Sequence, residues 1–301
     1  MKTYDILIPG SYFCDIIFTG VPRFPALGSE VYTEGLTVTV GGVLNTVIAL
    51  HRLGASIGWL SGTGTDFFSR FARETLEQEG VDLGLVKHYD HPFQRVTTAI
   101  SFPHERAFVT YVDPAPASVE LVLEALDSVE FRHLHFTGFQ SHARTLELFE
   151  KVRARGSVIS MDCQDRPFTL EDPHIRAILS AVDVFMPNAI EAQHLTGCAT
   201  VEEAAEVLRP LVPLLIVKDG ANGAFGWQGD QRWHSPALPV TPVDTTGAGD
   251  VFNAGFLTAY LDDRTIPECL RWGNICGGLS TQGRGGGTSA PTREVVERHL
   301  Q

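Results

Sequence analysis

The sequence predicts an α/β fold in three layers, a mainly parallel sheet with helices on both faces. Strand-like apolar runs alternate with amphipathic helical stretches along the chain, which is the pattern of such a sheet. A length of 301 residues suits one large α/β domain or two modest ones. Because no repeat or low-complexity linker divides the chain, we expect a single domain over residues 1–301.

Each element of the main sheet is predicted from its own local pattern. Apolar runs that end in polar or glycine-bearing turns predict strands at residues 5–9, 57–61, 133–137, 158–162, 184–187 and 214–218. Amphipathic stretches, several with Asp, Ser or Thr near their starts as N-caps, predict helices at residues 66–79, 143–154, 201–208, 250–261 and 266–281.

Two stretches depart from this order and alternate polar and apolar residues. Residues 16–40 and 95–112 have the period of two that is typical of antiparallel hairpins. We expect a small β lid, inserted at about residues 12–40 and 93–113, over one end of the main sheet. An edge extension without a function is the alternative.

Charge and cysteine content narrow the possible partners. The formal charge is −13, from 23 basic and 36 acidic residues, and the basic residues are dispersed. We therefore expect no nucleic-acid partner, and an anionic substrate must be held by local groups. The 5 scattered cysteines indicate reduced thiols. Apolar runs of strand length and a start without a signal-peptide core predict a cytoplasmic protein without a membrane partner.

A glycine-rich turn that leads into an apolar helix is the most informative run. Gly247, Ala248 and Gly249 let the backbone approach a ligand, and the N–H groups of the first helical turn point at an anion such as phosphate. A carboxylate at Asp250 would repel a bound anion, so its position beside an anion site indicates a chemical role, such as accepting a proton from an attacking hydroxyl. A cap or dipole partner is the alternative role for its carboxylate.

This run also resembles a known family. Asp-Thr-Thr-Gly-Ala-Gly-Asp at residues 244–250, followed by Phe-Asn-Ala-Gly-Phe, is similar to the C-terminal signature of the ribokinase-like carbohydrate kinases, or PfkB family. Residues 41–54 resemble the N-terminal signature, with two residues between the diglycine and Asn45 where the family usually has three. Other matches follow in family order, so the resemblance covers nearly the whole chain. It implies a ribokinase-like fold and an ATP-dependent kinase that phosphorylates a hydroxymethyl group of a sugar.

The resemblance implies sites for both substrates. The acceptor side comprises Asp15, Gly41, Gly42, Asn45, Arg166 and Asp250. The Asp15 carboxylate and the Asn45 amide can form hydrogen bonds with vicinal hydroxyl groups of an acceptor. Arg166 either supplies a local positive charge or is an ordinary surface residue. The ATP side comprises Asn188, Glu191, Lys218, Gly220, Gly223, Gly247, Gly249, Asn274 and Gly277.

Metal ions and a partner subunit are implied as well. Glu191 would organise Mg²⁺, partly through water. Asp244 and the glycines of residues 283–288 would hold a monovalent cation such as K⁺, unless the Arg284 guanidinium fills that space. The resemblance also implies a homodimer formed through the lid.

Three competing interpretations remain at this point. A nucleoside is an alternative acceptor, because Tyr12, Phe13 and Phe18 could stack a base or could form lid core. A non-catalytic sugar-binding protein of the same fold is the second, and a nicotinamide oxidoreductase is a distant third. Residues 62–67 lack the third glycine of a dinucleotide fingerprint, and no P-loop motif exists. His133 and His135 share a strand face, and we expect a buried or cleft-lining pair rather than a metal site.

Overall fold

A computed structural model describes residues 1–102, 105–164 and 167–301 of the chain. Its strands run over β1 Lys2–Pro9, β2 Tyr12–Thr19, β3 Gly35–Gly42, β4 Ile57–Thr63, β5 Val86–His88, β6 Arg95–Ser101, β7 Arg106–Val112, β8 Val129–Phe136, β9 Val158–Met161, β10 Val184–Phe185, β11 Leu214–Lys218, β12 Ala224–Gln228 and β13 Gln231–Ser235. Its helices run over α1 Leu44–Arg52, α2 Phe67–Glu79, α3 Ser118–Ala125, α4 Thr145–Arg153, α5 Pro173–Ser180, α6 Ala189–Thr196, α7 Val201–Leu208, α8 Ala248–Leu261, α9 Ile266–Ser280 and α10 Arg293–Leu300.

The main sheet confirms the predicted α/β class. Its strand order is β13-β12-β11-β10-β9-β8-β1-β4-β5. Every pair from β11 through β5 is parallel, and only the β11–β12 and β12–β13 pairs of this sheet are antiparallel, within the described residues. The carboxyl ends of the parallel strands therefore meet at one edge, which is where such sheets bind ligands.

Two apolar clusters, one on each face of this sheet, form the three layers. Along β1, Ile6 and Ile8 pack into one cluster and Leu7 into the other, as expected when successive side chains point to opposite faces. The first cluster includes α1, α2, α8 and α9, and the second includes α3 to α7. All of β11 is buried, so its uninterrupted apolar run is that of a strand covered on both sides.

The lid is a second sheet with the order β3-β2-β6-β7. The pairs β2–β3 and β6–β7 are antiparallel as predicted, and β2 lies parallel to β6 between them. Strand β2 begins at Tyr12, four residues before the alternating pattern that starts at Ile16. Asp15 consequently lies within a lid strand. Residues 103 and 104 of the predicted turn fall outside the described residues.

The antiparallel edge of the main sheet was not predicted. Strands β12 and β13 are joined at Gly229 and Asp230, and Gly229 has φ +57°. A two-residue Gly-Asp turn between alternating residues is a hairpin signal, so this pair was available from the sequence. The strand predicted at residues 184–187 is shorter in the structure and ends at Phe185.

Candidate active site

The candidate site lies where α8 begins, at the carboxyl edge of the sheet. Gly247 is the N-cap and has φ +71°, a conformation that glycine adopts without strain. A Cβ at Gly247 would lie 2.8 Å from Asn45 Nδ2. Among the described residues no side chain caps α8, whereas α6, α7 and α9 each begin with a capping box. The first turn of α8 is thus left for an external anion.

Asp250 is half-buried in this first turn. Its Oδ2 accepts a hydrogen bond from Asn45 Nδ2 at 3.1 Å. Burial, and then the negative charge of Asp162, raises the pKa of Asp250 to about 7, although the Asn45 bond and the Lys218 charge act in the opposite direction. A carboxylate with a pKa near neutrality is suited to accept a proton at physiological pH.

Asn45 connects Asp250 to a neighbouring loop. Its Oδ1 accepts a hydrogen bond from the Gly287 N–H at 2.9 Å, while its Nδ2 donates to Asp250. Gly41 and Gly42 end β3, and α1 begins after Val43, so the short spacing puts Asn45 in the first turn of that helix. The amide therefore bridges the base and its loop, a role that sequence reasoning did not give it.

Asp15 faces the same space from the lid. A Cβ at Gly41 would overlap its carboxylate, so only glycine leaves room for this contact. Burial, and then the charge of Asp244, raises the pKa of Asp15 to about 6. A carboxylate held in a partly desolvated position is an effective acceptor for ligand hydroxyl groups.

A buried ion pair lies behind Asp250. Lys218 Nζ is 2.6 Å from Asp162 Oδ2, and the two side chains are 10% and 8% exposed. Asn253 bonds to both partners, accepting from Lys218 and donating to Asp162. A Cβ at Gly249 would lie 3.6 Å from Lys218 Nζ, so the ammonium also lies beside the glycine turn.

Asn188 and Glu191 form the start of α6. Asn188 accepts from the Glu191 N–H, and Glu191 Oε2 accepts from the Asn188 N–H at 2.8 Å. Both side chains thus serve as a capping box, and the Glu191 charge also acts on Asp250. Among the described residues, no three His, Cys, Asp or Glu side chains converge as a metal cage. Mg²⁺ needs no such cage, because it usually keeps waters and binds one or two carboxylates together with phosphates.

The remaining residues assigned to the ATP side lie around β11, β12 and α9. Asn274 donates to the Ser235 carbonyl at 2.8 Å. Gly277 permits α9 to approach α8, since a Cβ there would lie 3.0 Å from the Ala248 carbonyl oxygen. Gly220 begins a short 3₁₀ turn after β11, and Gly223 follows that turn. All four positions have packing or turn roles besides any contact with a nucleotide.

Arg106, at the start of β7, was missed by sequence reasoning. Its guanidinium donates to Asp244 Oδ1 at 3.2 Å and to Thr246 Oγ1, which joins the lid to the segment before Gly247. Arg284 was considered as an alternative occupant of the space beside Asp244, but its side chain is exposed and its Nη1 lies 3.9 Å from a Cβ position at Gly35. Arg166 falls outside the described residues.

Three other expectations can be compared with the structure. Tyr12 is fully buried, and its hydroxyl bonds to Ser69 Oγ and the Phe93 carbonyl, so it is lid core rather than a base-stacking residue. His133 and His135 are buried and share Ser160 Oγ as a partner, and burial lowers the pKa of each to about 3. None of the 5 cysteines forms a disulfide within the described residues.

Comparison with known proteins agrees with this geometry. Residues 19–293 match the family described as pfkB family carbohydrate kinase. The chain belongs to this family. It is an ATP-dependent carbohydrate kinase, and the prediction made from the residue 244–256 run is confirmed.

Individual relatives of this pfkB kinase span its length. A fructokinase from Klebsiella pneumoniae is 30% identical over 285 residues, which cover 86% of this chain and 91% of the relative. The structure of Arabidopsis thaliana ribokinase with ribose and ATP has a TM-score of 0.83 at 21% identity, covering 100% of this chain and 99% of that one. An E. coli protein in complex with ATP and Mg²⁺ has a TM-score of 0.81 at 23% identity, with coverages of 100% and 99%.

Within residues 1–102, 105–164 and 167–301, no helix combines the length and the apolar composition that crossing a bilayer requires.

Proposed function

We propose that this kinase transfers the γ-phosphoryl group of Mg²⁺-ATP to a hydroxymethyl group of a sugar, with Asp250 as the general base. The Asp250 carboxylate takes the proton of the acceptor hydroxyl, the hydroxyl oxygen bonds to the γ-phosphorus, and ADP leaves. The observation that carries the proposal is the Asp250 side chain, which has a pKa of about 7 in the first turn of an uncapped helix.

The transferring phosphoryl group would rest against the turn formed by Gly247, Ala248 and Gly249. The partial positive charge of the α8 N-terminus and the Lys218 ammonium near Gly249 favour an anion there. Phosphoryl transfer requires position and charge neutralisation more than covalent help from the protein.

The acceptor would lie between the turn and the lid. The Asp15 carboxylate would accept hydrogen bonds from the hydroxyl groups of the acceptor, and Gly41 lets that carboxylate lie against the end of β3. The acceptor side of the proposal also includes Gly42. Asn45 and Arg166 complete the acceptor side of this proposal. The lid excludes water, which limits transfer of the phosphoryl group to solvent.

The nucleotide would lie on the opposite side of Asp250. Asn188 and Glu191 would approach the phosphates, Glu191 through waters of a bound Mg²⁺, which supplies neutralisation of phosphate charge. The strand end at Lys218, the turn of Gly220 and Gly223, and the α9 positions Asn274 and Gly277 would bound the adenosine. An E. coli protein of the same fold binds ATP and Mg²⁺, which supports this part of the proposal.

The proposal extends to a monovalent cation and to a dimer. Asp244 and the carbonyls of residues 283–288 would form an oxygen cage for K⁺. Large apolar side chains on the lid would pair with a second copy, and they are exposed at Leu36, Val38, Phe108, Val109 and Tyr111. Changing Val109 to Glu is expected to halve the mass measured by light scattering, whereas an unchanged mass would exclude pairing through this strand.

ADP release measured over a panel of sugars and nucleosides tests the acceptor class. We expect turnover with one or more sugars, and the burial of Tyr12 in the lid core removes one of the three aromatic side chains that could have stacked a nucleoside base. Turnover with a nucleoside alone would replace the sugar acceptor in the proposal. Asp250→Asn is the control that attributes any ADP release to this site.

A further inference from the structure

The ion pair behind Asp250 is an unusual feature for its position. Lys218 Nζ lies 2.6 Å from Asp162 Oδ2 and 3.2 Å from Asn253 Oδ1, while Asn253 Nδ2 donates back to Asp162. The three side chains therefore form a closed triangle of hydrogen bonds inside the core. Asp162 follows β9 and Lys218 ends β11, and β10 lies between these two parallel strands in the sheet. The ion pair thus joins residues that are distant in sequence, at the edge of the sheet where the candidate site lies.

Stability alone does not account for such a pair. The free-energy cost of removing two charges from water offsets most of their mutual attraction, and well-packed apolar side chains in the same place often stabilise a protein equally well. Asn253 lies three residues after Asp250 on α8, so one helix face carries both the base and a member of the triangle. The triangle is thus attached to the element that carries the reactive carboxylate.

The groups facing Asp250 come from four elements besides its own. Asn45 on α1 donates a hydrogen bond, Asp162 after β9 and Glu191 on α6 contribute negative charge, and Lys218 on β11 contributes positive charge. Asp162 is the larger of the two negative influences on the Asp250 pKa. Lys218 and Asp162 therefore act on the base in opposite directions while they are bonded to each other.

We propose that Lys218 and Asp162 are positioning residues that together set the charge of Asp250. Lys218 keeps Asp250 ionisable within a desolvated cleft, and Asp162 holds the ammonium so that it does not pair with Asp250 directly. A direct Lys218–Asp250 pair would leave a carboxylate too weak as a base, and a lone Asp162 would leave Asp250 protonated. This inference rests on the proposed role of Asp250.

The test is the titration of Asp250 in the full-length chain, followed by carboxyl ¹³C NMR and by the acid limb of kcat/KM for the acceptor. Asp250→Asn assigns the NMR signal by removing it. Lys218→Met should raise the midpoint by about one pH unit or more, and Asp162→Asn should lower it by a similar amount. The double variant should return close to the wild-type midpoint, because it removes both charges.

A matched control removes a pair at the far end of the strands. Arg153 and Asp183 form an ion pair at 3.1 Å before β10, and Asp183→Asn should leave the midpoint unchanged. If Lys218→Met fails to fold because it buries an unpaired carboxylate, Asp162→Asn and the double variant still give the test.

An unchanged midpoint in Asp162→Asn would overturn the inference, as would a double variant whose midpoint departs from the wild-type value by about one pH unit or more, or a Lys218 variant that changes only the KM for ATP. Failure of the base assignment is separately visible, since Asp250→Asn would then retain turnover. The NMR titration does not depend on turnover, so it tests the charge balance even in that case.

Discussion

The main sheet and the lid contribute to one site from very different surroundings. Every residue of β11 is buried between two layers, whereas β7 is almost wholly exposed. Lys218 and Asp250 are consequently held by packed core, but Asp15 is held by a thin sheet. We infer that the packed core holds the groups that must be placed precisely for phosphoryl transfer, while the lid supplies an exposed wall of the site. Changes in the core should therefore alter kcat, and changes in the lid should alter the KM for the acceptor.

The largest effect expected on the core side is from Asp250→Asn. Turnover should fall by about 10²–10⁴, the range for removal of a general base, while both substrates still bind. Single-turnover kinetics and calorimetry separate these quantities. An unchanged kcat would mean that the core does not supply the base.

A matched pair of substitutions compares the two regions directly. Asp15→Ala should cost about 1–3 kcal/mol, seen as a higher acceptor KM, because ligand hydroxyls lose their partner. Asn45→Ala should have a similar cost but lower kcat, since its amide bonds to Asp250. Initial-rate kinetics with each substrate varied measure this. An Asp15 effect confined to ATP would contradict the assignment of the lid to the acceptor.

The pH dependence of stability reports the burial of the core carboxylate. Asp250 keeps its proton up to about pH 7 when the chain is folded, because its pKa is raised to about 7, but loses it near pH 3.8, the ordinary pKa of this group, when the chain is unfolded. The contribution of Asp250 to the free energy of unfolding of the wild type is therefore fully present below about pH 4 and is lost as the pH rises to 7. Asp250→Asn should therefore gain about 1–3 kcal/mol relative to wild type at pH 8 and little at pH 4. Urea unfolding at both pH values measures the difference, and equal differences would place Asp250 in solvent.

The smallest expected effect is that of a monovalent cation at the contact between Arg106 of the lid and Asp244 before α8. We expect K⁺ to raise turnover several-fold over a bulky organic cation at constant ionic strength. The gain should be larger in Arg106→Met, which removes the guanidinium from Asp244. Equal rates in both salts for both variants would show that no cation is used there.

The parts of the fold and of the candidate site that could be predicted from the sequence are those encoded in local patterns. The turn before α8 is contiguous in sequence, so its glycines and Asp250 were identified as a unit, and the buried runs gave the parallel sheet. The Lys218–Asp162 pair spans 56 residues and the Arg106–Asp244 pair spans 138. Such partners depend on how strands align in space, and no periodicity of the chain specifies them.

The junction at Arg106 gives the two substrates a means of influencing each other. Its bonds to Asp244 and Thr246 require β7 to lie over the turn. An acceptor that favoured this position of the lid would therefore also favour the present conformation of the segment before α8. Thermodynamic linkage would then require that ATP strengthen acceptor binding by the same factor with which the acceptor strengthens ATP binding. One guanidinium would in this way couple the binding of two small molecules.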